Sequence, residues 1–255
     1  MRRIFRALAL ALTAAAGAAS AQQAAEPQAV EIKGVRNPEL KTYRVMLAGL
    51  DAFDDYHAFA PNAPEVRFRL RSRADKDTNL DDLAIRLSGN TVSLPLPLDA
   101  NNAFALPRNE QAESEDAEIV ANKPKGGIRW QPDVRTPGVP EGMRRLGDLR
   151  LECRVLIATA KKEIGFMLTA LLNSLLLTTD WCGDEKIQLA TPVPNKIASA
   201  TLLHDGQRVE LKLTNRGKGY IPPLADKTYP DDTLIEVVPA GEPEPAPTPT
   251  PVPAG

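Results

Sequence analysis

The chain is short of the side chains from which most catalytic centres are built: among its 255 residues there are two cysteines, Cys153 and Cys182, and two histidines, His57 and His204. A closed zinc site needs about four ligands, and these residues are scattered along the sequence. A nucleophile–histidine–carboxylate triad would have to use one of the same two histidines. No Gly-x-Ser-x-Gly elbow, Gly-x-Gly-x-x-Gly turn or phosphate loop occurs, so the sequence signatures of α/β-hydrolases, dinucleotide binders and P-loop enzymes are missing. The Cys-x-x-Cys spacing of redox pairs is absent too. No unit of about 20 to 50 residues recurs, which excludes a repeat array.

A basic excess is also missing. The formal net charge is −2, and without Arg2, Arg3 and Arg6 the balance is 28 Lys and Arg against 33 Asp and Glu. Nucleic-acid surfaces need a basic stripe, so nucleic acid is not an expected partner. Long apolar runs are missing as well. The most apolar internal stretch, Ile164 to Leu177, has 14 residues and contains Asn173, whereas a membrane span needs about 20. The mature chain is therefore expected to hold no transmembrane segment.

What is present begins with an export signal over residues 1–21: Arg2, Arg3 and Arg6, an apolar stretch from Ala7 to Ala16, then Ala19-Ser20-Ala21 as a cleavage site. Periplasmic or extracellular localisation follows. In such a compartment an even cysteine count reads as a disulfide between Cys153 and Cys182. Residues 22–28 are polar and alanine-rich and read as a flexible N-terminus. At the other end, residues 241–255 carry proline at nearly every second position over EPEPAPTPTPVP, a disordered tail that favours extended polyproline II.

Between these ends the pattern is mostly that of strands. In EVRFRLRSR, Val66, Phe68 and Leu70 alternate with Arg67, Arg69 and Arg71, the period-two signature of a half-buried strand. Leu83 to Leu87 and Thr91 to Leu98 repeat it around the turn Ser88-Gly89-Asn90, with Pro95 and Pro97 assigning the second to a sheet edge. Ala103 to Leu106 is a further short strand. Ala117 to Ala121 and Gly127 to Val134 read as a hairpin around a Pro-Lys-Gly-Gly turn. The loop RTPGVPEGMRRLG marks an internal boundary, giving a β-sandwich-like domain over residues 29–147 and a β-rich part over 148–240. In that second part Asp148 to Ile157 reads as a strand carrying Cys153. Strands are also expected at Lys186 to Ala190, Ile197 to Leu203, Arg208 to Leu213 and Thr233 to Val238, the middle two joined by an Asp205-Gly206 turn.

One helix is expected, over residues 161–177. Ile164, Met167, Leu168, Leu171, Leu172 and Leu175 form one apolar stripe, and Phe166, Leu176 and Leu177 make the other face apolar, so the helix reads as buried. Trp181 beside Cys182 reads as a local shield for the disulfide. The fold class is thus mostly β (α+β), a β-sandwich-like N-terminal part followed by a disulfide-linked β part with one long buried helix.

Two clusters carry candidate chemistry. Asp51, Asp54, Asp55 and His57 could form a divalent-metal site or a carboxylate-oriented histidine base. The same residues also read as the solvated side of a short helix whose Leu50, Phe53 and Phe59 face the core. Asp75, Asp77, Asn79, Asp81 and Asp82 offer alternating oxygen ligands that suit calcium. Counted from Asp75, however, Leu80 and Arg86 occupy the EF-hand glycine and glutamate positions, and a polar loop fits equally. No cofactor is implied.

The run LAIRLSGNTVSLPLPLDANNAFALPRN, with Phe104, Leu106 and Pro107 at its end, resembles carboxypeptidase-regulatory-like β-sandwich modules, although Asn102 stands where the turn glycine is usual. The whole mature chain, through RRLGDLRLEC from Arg144 above all, resembles uncharacterised exported proteins of Gram-negative bacteria. Neither resemblance implies an activity. The expectation is a non-catalytic binding or scaffold protein of the envelope, partnered by other envelope proteins or cell-wall components. The alternative is a carboxylate-dependent hydrolase of glycan or peptidoglycan working through Asp51, Asp54 and Asp55.

Overall fold

The computed structural model describes residues 35–241 except 74, 75 and 77. The export signal, the flexible N-terminus, residues 242–255 of the tail, and Asp75 and Asp77 lie outside the described residues. In chain order the elements are β1 (Pro38–Thr42), α1 (Tyr43–Asp55), β2 (Val66–Ser72), β3 (Ile85–Ser88), β4 (Ser93–Leu96), β5 (Ala103–Ala105), α2 (Glu110–Ser114), β6 (Glu118–Pro124) and β7 (Ile128–Val134). They continue with β8 (Met143–Arg145), α3 (Leu146–Leu176), β9 (Thr191–Pro192), β10 (Ile197–His204), β11 (Gln207–Glu210), β12 (Leu213–Thr214), β13 (Gly219–Tyr220) and β14 (Leu234–Pro239). The protein is mostly β with one long helix, as the sequence patterns imply.

Two antiparallel sheets, ordered β1-β6-β3-β4 and β5-β2-β7, share the first core. The alternation in β2 sends Val66, Phe68 and Leu70 inward, where they meet Ile85, Leu87, Phe104 and Ile119 from the neighbouring strands. Tyr43, Met46, Leu50 and Phe53 of α1 close this core, and the Tyr43 hydroxyl donates to the Pro107 carbonyl at 3.0 Å. β4, with Pro95, is an edge strand. The expected hairpin between β6 and β7 is corrected: β6 already has β1 and β3 on its two sides, and β7 pairs with β2. Gly126, at φ 75°, therefore carries the chain from one sheet to the other rather than back along the same sheet.

The second core is built from β10, β13 and β14 against the start of α3: Leu146, Leu149, Ile197, Leu202, Tyr220 and Ile235. Its sheets run β11-β10-β14-β8 and β12-β13-β9. The β10–β11 turn places Asp205 at φ 49° and Gly206 at φ 74°, the positive pair that a two-residue hairpin turn requires. The strand expected over Lys186 to Ala190 is not formed.

The largest correction concerns α3. The segment read as a strand, Asp148 to Ile157, is helical and is the buried half of the helix. Leu151 and Val155 lie one turn apart and enter the first core, while Leu146 and Leu149 enter the second. A helix buried on two opposite faces shows apolar residues at Leu149, Leu151, Cys153 and Val155, which imitates a strand's period of two. Its polar residues are all engaged. Asp148 accepts from Thr136 Oγ1 at 2.6 Å, and Arg150 donates to Asp231 and to the Leu224 and Tyr229 carbonyls.

The half expected to be buried, residues 161–177, is exposed instead. Gly165 at φ 80° breaks the helix, and beyond it Phe166, Met167, Leu175 and Leu177 are 83%, 81%, 69% and 87% exposed. The apolar stripe forms, but among the described residues no second layer covers it. Cys153 and Cys182 are bonded, with Cα atoms 6.0 Å apart. The return segment is also held by a two-pronged Arg154–Asp180 pair and by Trp181 Nε1 donating to Asn173 at 2.9 Å. Lys161 Nζ sits over the Trp181 ring.

Candidate functional site

Asp51 and Asp54 lie on the outward face of α1, one turn apart, and both accept from Arg108, at 2.7 and 2.6 Å. All three side chains are about half exposed or more. Asp55 is exposed and has no part in that fork. His57 points elsewhere: its Nε2 lies 2.9 Å from the Ala63 carbonyl and its ring packs on Phe53. The structure thus joins Asp51 with Asp54 but not with His57. Asn79 accepts from the Asp81 amide at 2.7 Å, a local turn contact, and Asp82 pairs with Lys123. Among the described residues no three His, Cys, Asp or Glu side chains gather as a metal site.

A different set of residues converges. Because β2 alternates, its arginines face away from the first core, and β7 sets the partner of each: Arg67 opposite Asp133, Arg69 opposite Gln131, Arg71 opposite Arg129. At one end carboxylates answer the cations. Arg67 donates to Asp99 at 2.7 Å, and Asp133, itself buried, takes both Arg69 and Arg135. At Arg71 the carboxylates Asp133 and Glu152 act only at a distance. Like charges directly across a strand pair cost a few tenths of a kcal/mol to about 1 kcal/mol, and Arg71 Nε and Nη1 are buried without a partner. Burial, then the neighbouring Arg69, pull its pKa down to about 10.

Arg71 and Arg69 line a cleft of about 250 Å³ whose other side comes from β8, α3, the segment 189–194 and Tyr220. Arg144 and Glu152 meet there at 2.7 Å, each side chain 13% exposed. Glu152 Oε1 also accepts from the Val134 amide at 2.8 Å. Burial opposes the Arg144 charge, but the Glu152 carboxylate outweighs it and holds Arg144 above its ordinary value. Burial raises Glu152, with Arg144 pulling the other way. Tyr220 is fully buried, and burial pushes its hydroxyl up to about 12, so at neutral pH it is a donor.

The hydrogen-bond balance of this cleft is one-sided. Among the described residues eight buried side-chain atoms lack a partner, and five of them belong to the lining: Arg69 Nε, Arg71 Nε and Nη1, Arg144 Nε and the Tyr220 hydroxyl. All five can donate, and none is a bare acceptor. Four arginines line the cleft (69, 71, 135 and 144) against two carboxylates, Asp133 and Glu152, both already engaged. Such a site can hold an oxyanion, whose oxygens supply the acceptors that the walls lack.

Sequence reasoning saw the β2 arginines only as the polar face of a strand. Arg144 and Tyr220 gave no signal, since they reach the cleft from separate segments. The one legible hint was the density of arginine in RFRLRSR, with no acidic residue inside it. No family model, curated protein or solved structure matches the chain.

Proposed function

We propose that the protein is a non-catalytic, exported binding protein of the cell envelope, and that the cleft between β2, β8 and Tyr220 takes an anionic group. The observation that carries this reading is that unpartnered buried donors of Arg71 and Tyr220 belong to the lining of one cleft. An unmet buried donor costs about 1–3 kcal/mol, and the five belong to residues that line one cleft, so acceptor oxygens that reached them would offset that cost. Of the three carboxylates expected for a hydrolase, Asp51, Asp54 and Asp55, the first two are occupied by Arg108, which supports binding over hydrolysis.

Calorimetric titration of the mature chain with inorganic phosphate at low ionic strength is the direct test. Saturating phosphate should raise the melting temperature, and at a hundred times the dissociation constant the gain is about 2.7 kcal/mol. Arg71→Gln should weaken binding by about tenfold or more, as expected for a charge-assisted contact. Absence of heat and of thermal shift with phosphate, sulfate and acetate alike would end this reading.

A further inference from the structure

We infer that the cleft is the closed end of a longer basic track, and that its ligand is an extended polyanion with several oxyanion groups along one chain. The inference deepens the anion-binding reading above and rests on it. A second, more open groove of about 910 Å³ shares Arg69, Arg71, Gln131 and Pro192 to Pro194 with the cleft. Beyond Arg69 and Arg71 it is lined by Arg73, Arg129, Arg216 and Lys218, and no described residue of its lining is acidic. These four side chains are exposed. In a chain whose overall charge is negative, six cations on one groove form a local field that concentrates anions.

Two features show that the cations are held there against local cost. Arg71 and Arg129 face each other across the β2–β7 ladder. In the 215–218 segment of the same groove Asn215, Arg216 and Gly217 have φ of 51°, 58° and 86°, three successive left-handed residues, of which arginine tolerates that region poorly. The bend is pinned: a Cβ on Gly217 would stand 2.8 Å from the Ile197 carbonyl, and the Val193 amide donates to the Lys218 carbonyl at 3.2 Å. Strain of this kind persists where surrounding structure enforces it, and it clusters at ligand sites. Here its effect is to bring Arg216 and Lys218 into the same groove lining as Arg71 and Arg129. A single small oxyanion could engage only part of this row. No described lining residue is aromatic, so the groove offers no platform for stacking bases, the usual basis of single-strand nucleic-acid binding. The shared chemistry is therefore that of a phosphate- or carboxylate-bearing chain without stacked bases.

The test compares orthophosphate, short-chain inorganic polyphosphate and a single-stranded oligonucleotide on the full mature chain. Polyphosphate should bind at least about tenfold tighter than orthophosphate, because its linked groups engage successive cations. Its affinity should fall steeply with salt. Arg216→Gln with Lys218→Gln should weaken polyphosphate by about tenfold, flatten the salt slope by roughly one unit per cation, and leave orthophosphate binding unchanged. Arg129→Gln separates binding from folding: it removes the like-charge pair, so the melting temperature should rise while polyphosphate affinity falls. If orthophosphate binds but polyphosphate gains nothing, or if these variants leave polyphosphate unaffected, the track is refuted and the anion cleft stands. Binding of neither anion refutes both. An oligonucleotide that outbinds polyphosphate of equal charge refutes the assigned ligand class.

Discussion

The two halves of α3 should respond oppositely to the same substitution. Leu151 is fully buried in the first core, whereas Leu171, in the stripe that looks most like a core face in the sequence, is 55% exposed. Leu151→Ala removes three carbon groups, worth about 2.4 kcal/mol at about 0.8 kcal/mol each. The cavity left in the first core, whose other walls are strands anchored in two sheets, can relax only in part, which brings the expected loss to about 3–5 kcal/mol. For a domain of this size each kcal/mol shifts the melting temperature by about 2–4 °C. Leu171→Ala should stay within about 0.5 kcal/mol, since it leaves no cavity and alanine has slightly better helix propensity. Urea unfolding of the two variants beside the parent chain reads both values, with unchanged m-values confirming that the native states remain comparable. A loss above about 2 kcal/mol for Leu171→Ala would mean that the outer half of the helix is covered after all. A loss below about 1 kcal/mol for Leu151→Ala would refute the reasoning that α3 joins the two cores.

Replacing both Cys153 and Cys182 by alanine should cost about 3.6 kcal/mol by loop-closure entropy over the 29-residue separation, measurable by urea unfolding; no loss would show that the bond does not constrain the unfolded chain. Burial opposes the Asp180 charge, but Arg154 and the Cys182 and Gly183 amides outweigh it and hold the carboxyl below its usual range, so its contribution is present above an unfolded pKa of about 3.9 and lost as pH falls through the lower folded value. The melting-temperature gap between the parent and Asp180→Asn should therefore narrow as the medium is acidified below about pH 4, and a gap independent of pH would count against the ion pair. Tyr220→Phe deletes a buried hydroxyl without a partner and should raise stability by about 1 kcal/mol while weakening phosphate binding; a loss of stability would show that the hydroxyl is satisfied in the free protein.

Legibility followed the range of the interactions. Alternation placed β2 correctly, Pro95 identified β4 as an edge, and Asp205-Gly206 set the β10–β11 hairpin, because each depends on residues within a few positions of one another. The β6–β7 connection failed on a long-range fact: β1, from the start of the domain, occupies the side of β6 that the hairpin would have used. The first half of α3 failed because a pattern records which residues are apolar and not how many surfaces cover them. The second half was periodic, yet past the break at Gly165 its apolar side chains are exposed. At the acidic cluster, local density of carboxylates was visible, but Arg108, which engages two of them, lies more than fifty positions away. The cleft was illegible for the same reason, since Arg71, Arg144 and Tyr220 belong to three distant segments.

What distinguishes the cleft from the rest of the molecule is where its interactions fail to close. Asp148 and Arg150 show the usual balance, the one met by Thr136 and the other by Asp231 and two carbonyls. Around Arg71 the balance is less complete. A like-charged partner stands across the ladder, five donors have no acceptor, and an arginine is held in left-handed backbone in the adjoining groove. Any one of these would be an ordinary local defect of a marginally stable fold. Their coincidence on one continuous surface has a common remedy, because a chain of oxyanions would supply the acceptors, screen Arg71 from Arg129 and pair with Arg216 at once. Folding alone gives no reason to gather these costs in one place, whereas binding does, since the guanidinium groups that carry them line a groove open to an anion.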